Sequence, residues 1–97
     1  MEITDENRVT LQPYVEHFVR LANAMTKDGV PMAVVSSAFM TACATYSTFV
    51  VTGNDGALRE SGVEKLRDIF ATELAAVQRL KIEQAKAGGA VVEEDAV

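Results

Sequence analysis

Between Asp28 and Asp55 the chain carries no Asp, Glu, Lys, Arg or His. No other feature limits the possible folds so strongly. Pro31 opens the stretch and the Gly53-Asn54-Asp55-Gly56 run closes it, so turn formers bound it on both sides. Inside, Met32, Val35, Phe39, Ala42, Tyr46 and Phe49 recur at steps of three and four. That is the helical period, and it predicts a helix from Pro31 to about Val51. A helix with no charged side is normally central in its assembly.

The uncharged segment is not uniformly apolar. Ser37, Thr41, Thr45, Thr48 and Thr52 form a hydroxyl stripe on the side away from Met32. Each hydroxyl can donate to the carbonyl four residues back, so the stripe can be covered without an orphaned donor. The length suits a membrane span. The seven Ser and Thr residues from Ser36 to Thr52 dilute its hydropathy, and no Lys or Arg cluster flanks it. The sequence therefore reads as non-membrane.

Two further helices follow from the same period. Leu11, Tyr14, Val15, Phe18, Leu21, Ala22 and Met25 predict a first helix over 11–27, with Pro13 near its start and Gly29 at its stop. Glu16 and Arg20 are spaced for an ion pair. Thr4 is placed to cap a frayed turn in the acidic segment 1–10. Val63, Leu66, Ile69, Phe70, Leu74, Val77 and Leu80 predict a third helix over 62–87, ended by Gly88-Gly89. Ser61 and Glu64 have capping-box spacing at its start. No stretch alternates apolar and polar residues as a strand would. The expected class is all-α: a three-helix bundle or a helical homodimer with the uncharged helix at its centre. Residues 11–87 form the expected single helical domain, and 88–97 a disordered acidic tail.

The net charge of -5 gathers at the ends. Glu2, Asp5 and Glu6 stand against Arg8, and Glu93, Glu94 and Asp95 stand alone, while 9–87 balances eight acids with eight bases. No basic patch is present to bind nucleic acid. The acidic start does not resemble a secretory signal, and a cytoplasmic location is expected. One cysteine and one histidine exclude a disulfide framework and a thiolate or multi-His metal site, so no metal and no cofactor is expected.

Catalysis finds no constellation of residues. The serines lack a His/Asp partner and an elbow motif. Cys43, among Phe39, Tyr46 and Val50, reads as a small hydrophobe because no base adjoins it in sequence. Glu73 is the exception among the charged residues, falling in the apolar stripe of the third helix between Leu66 and Leu80. A carboxylate there needs a partner or a proton. Two kinds of role remain open for it. It is either bonded to Tyr46, His17 or a threonine, or snorkels to the edge of the stripe, or it anchors a ligand or binds a proton in an apolar pocket.

Phe18-Val19-Arg20-Leu21-Ala22-Asn23, then Ala38-Phe39 and Tyr46 to Val51, then Ile69-Phe70-Ala71-Thr72-Glu73-Leu74 give residues 18–80 a resemblance to small bacterial all-helical families designated domains of unknown function. The resemblance implies a helical bacterial protein. It transfers no catalytic or binding residue.

The functional expectation is a non-enzymatic protein–protein interaction module. It pairs as a homodimer through Ser37, Thr41, Thr45 and Thr48, and a further protein partner is possible. The alternative is a binder of a small apolar ligand, with Glu73 or His17 as polar anchor and Tyr46 beside them.

Overall fold

The computed structural model describes residues 1–53 and 56–89. It contains three helices: α1 (Asp5–Lys27), α2 (Met32–Thr52) and α3 (Glu60–Ala87). The all-α class is as expected, and no strand occurs among the described residues. The chain divides into two units, the first spanning Met1–Val63 and the second beginning at Glu64. The first holds α1 and α2, and the second holds nearly all of α3.

Helix α1 begins six residues earlier than its apolar period. Thr4 is the N-cap: its Oγ1 accepts from the Asn7 amide at 3.2 Å, and the Asn7 Oδ1 accepts from the Thr4 amide at 2.9 Å. This reciprocal pair satisfies two amides that a helix start leaves unpaired. Asp5 and Glu6 in the first turn meet the positive end of the helix dipole. Pro13 consequently lies inside the helix and not at its start. Having no N–H, it leaves the Val9 carbonyl without its usual helical donor. Glu16, expected to face Arg20, accepts from Gln12 Nε2 at 3.4 Å.

The turn into α2 follows from Gly29. Its φ of 98° is the left-handed conformation that glycine adopts without steric cost. There the Gly29 amide donates to Thr26 (3.0 Å) and the Val30 amide to Met25 (3.1 Å), the paired bonds of a Schellman stop. Pro31 then caps α2 in extended geometry, and its carbonyl accepts from Val34 and Val35.

At the far end, Gly53 (φ 84°) closes α2 with its amide on the Phe49 carbonyl at 2.8 Å. Asn54 and Asp55, read as turn formers, lie outside the described residues. Gly56 returns the chain close against α2, where an added Cβ would collide with the Thr52 side chain.

Helix α3 starts at Glu60, so Ser61 stands in its first turn and not at the expected cap. The first carbonyl to accept is that of Arg59, from Gly62 and Val63. Glu60 extends the helix backward because a carboxylate in the first turn is favoured by the dipole. Gly88 and Gly89 end α3, as expected. The acidic tail from 90 onward lies outside the described residues.

The burial pattern is the unusual property of this chain. Helix α2 buries Val35 alone, α3 buries Ala76 alone, and α1 buries no residue. No side chain among the described residues is fully buried.

A candidate interaction surface on the first two helices

Helices α1 and α2 pack as a hairpin. The rings of Phe18 and Phe39 meet across it with centroids 6.2 Å apart, tilted by 47°. An aromatic pair of this separation and tilt lies in the favourable range. Beneath it, Val35 is 7% exposed and serves as the hairpin's only buried residue.

The hairpin leaves an apolar groove of about 700 Å³. Phe18, Leu21 and Met25 line it from α1, and Phe39 and Tyr46 from α2. Cys43 and Ser47 supply polarisable and polar atoms to the same groove. Cys43, read as a small hydrophobe, is exposed within this apolar groove.

A second, open concavity lies on α2 itself, floored by Ala38, Thr41, Ala42 and Thr45 and edged by Tyr46 and Phe49. Ala38, Ala42 and Tyr46 belong to both concavities. At 3.6 residues per turn, Val35, Ala38, Phe39, Thr45, Tyr46 and Phe49 all fall within about 60° of Ala42 around the helix. The two concavities therefore form one face. Helix α1 borders it on the Phe39 side, and the threonines border it on the other.

The four threonines of the hydroxyl stripe make the bonds expected of them, and Ser37 does not. Thr41 Oγ1 donates to the Ser37 carbonyl (3.1 Å), Thr45 to Thr41 (2.8 Å), Thr48 to Ala44 (2.8 Å) and Thr52 to Thr48 (2.8 Å). With their protons engaged in the helix, these hydroxyls present methyl groups and spent donors. Thr41 and Thr45 line the open concavity. Ser37 and Thr48 do not line it, and Thr48 is half-buried.

The three proposed ligand contacts are placed differently. Tyr46 stands on the ridge between the concavities, 64% exposed, with its ring stacked on Phe49 at 6.0 Å and 22°. His17 is exposed on α1 and does not line the groove. Glu73 is half-buried on α3, in the second unit. Phe49 was not among the expected site residues. Its position three residues after Tyr46 on one helix face is the signal that identifies it.

The site offers little for chemistry. No cluster of three His, Cys, Asp or Glu residues that could hold a metal occurs among the described residues. By length and composition α2 could cross a membrane: it has 21 residues, and an 18-residue stretch of it has a mean hydropathy of 1.5. No family model, no curated protein and no solved structure matches the chain. Its function must therefore be read from its own geometry.

Proposed function

We propose that the chain is a non-enzymatic association module that works as a homodimer through α2. The observation that carries this reading is the burial of α2. Within the α1–α2 hairpin, an uncharged helix of 21 residues buries a single residue, Val35. Met32 is 74% exposed, Tyr46 64% and Phe49 46%. Monomeric soluble proteins rarely leave so much contiguous apolar surface in water. Two-fold pairing is the commonest way to cover it. Two copies of a neutral face also meet without charge repulsion, since the net charge of -5 lies at the chain ends.

Bilayer insertion fits the length of α2 but not its neighbour. Phe18 holds α1 against α2, and α1 carries Glu16, Arg20 and Lys27. Burying those charges in hydrocarbon is costly. The groove of about 700 Å³ favours a second reading, a small apolar ligand with Tyr46 as its polar contact. His17 does not serve that reading, because it lies outside the groove.

Light scattering coupled to native mass spectrometry tests the proposal. A mass near twice 10.5 kDa at micromolar concentration is expected. A monomer carrying a bound compound of a few hundred daltons would replace it with the ligand reading.

A further inference from the structure

We infer that Tyr46 of each protomer inserts into the α1–α2 groove of the other copy, with the two α2 helices meeting over Ala38, Ala42 and Thr45. This rests on the homodimer reading and assigns the face that the dimer uses.

The occupant is a second copy, and the argument begins with area. Phe18, Leu21, Met25, Phe39, Tyr46 and Phe49 are 40–64% exposed on this one face. Together they leave on the order of 650 Å² of apolar side chain accessible, at about 150–250 Å² for a whole aromatic. Over two protomers that is about 1,300 Å², in the lower part of the range that stable interfaces bury.

The relief of the face is self-complementary. Ala38, Ala42 and Thr45 are low ground, where another helix can approach closely. Tyr46 rises beside them, and stacking on Phe49 holds its ring in place before any partner arrives. A preset ring loses less freedom on docking. The groove on its other flank is apolar along Phe18, Leu21 and Met25, with Ser47 and Cys43 supplying polar atoms. A tyrosine needs such a mixture, an apolar slot for the ring and a polar end for the hydroxyl. Two-fold symmetry then places each knob in the other copy's groove, since residue i touches j wherever j touches i.

The experiment replaces Tyr46 with a benzophenone amino acid and irradiates a mixture of ¹⁴N- and ¹⁵N-labelled full-length chains. Mixed-isotope adducts between position 46 and the 18–25 segment of α1 are expected. Adducts confined to one chain, or between chains but away from that segment, would overturn the inference while a dimeric mass leaves the homodimer reading standing. Sedimentation equilibrium of Tyr46→Ala provides an independent readout. Truncating a central tyrosine anchor should weaken dimerisation at least ~30-fold. Met40→Ala, about 200° from Ala42 around the helix, should change it less than threefold. Equal effects of the two substitutions would overturn the inference. A wild-type chain that stays monomeric, or that floats with phosphatidylcholine vesicles, would overturn both the inference and the homodimer reading.

Discussion

Gly56 and Thr52 show how closely a single residue is constrained at the end of α2. A methyl group on Gly56 would occupy the space of the Thr52 side chain and press on its backbone carbonyl. Thr52 cannot easily move aside, because its hydroxyl is bonded to the Thr48 carbonyl at 2.8 Å. Gly56→Ala is therefore expected to cost about 1–3 kcal/mol, the usual range for forced overpacking. Urea denaturation followed by circular dichroism will measure it, and an unchanged midpoint would show that the turn relaxes freely. At Thr4, loss of the cap by Thr4→Ala should cost about 0.5–2 kcal/mol and unravel the first turn of α1. Amide exchange at Asn7, whose N–H the Thr4 hydroxyl accepts, reports on it directly. An unchanged Asn7 exchange rate would mean the cap does not hold that turn. The sequence showed one of these positions better than the other. Thr4 is a recognisable capping residue. Gly56 is one turn former among several, and only the path of the chain brings it against Thr52.

The helices show which signals travel through sequence. The α2 boundaries were legible because Pro31 and Gly53 act on the backbone directly, and the threonine bonds were legible because they are local. The start of α1 was missed because apolar periodicity reports burial. Residues 5–10 are helical but have little to bury, so they carry a cap signal and no stripe. Ser61 illustrates the reverse error. Its spacing to Glu64 matched a capping box, but Glu60 begins the helix one residue ahead of it. Pro13 is a consequence of the longer α1. An interior proline costs about 3 kcal/mol relative to alanine. Pro13→Ala should therefore raise the helical signal near 222 nm and raise Tm, provided α1 runs unbroken from Asp5. A lowered Tm would place the helix start after Pro13.

At the scale of the whole molecule, the small amount buried among the described residues matters most. Val35 and Ala76 are the only buried hydrophobic residues among those described. Folding fixes about 1–2 kcal/mol of backbone entropy per residue, and apolar burial is its main counterweight. A hairpin with one buried side chain cannot supply that alone. The sequence hinted at this through the uncharged stretch, since a helix with no solvent face needs cover on every side. It could not show which side α1 leaves open. That depends on the Phe18–Phe39 contact, which joins residues far apart in the chain. For the same reason the sequence could not separate Tyr46 from His17: both lie near apolar stripes, but Tyr46 borders the groove and His17 does not.

If a second copy completes the core, folding and association are one process. The stability of such a protein depends on its own concentration. Thermal unfolding of the wild-type chain, recorded by circular dichroism from low to high micromolar protein, tests this most directly. The account predicts that Tm climbs steadily with concentration. A Tm that stays constant across that range, at monomeric mass, would contradict it.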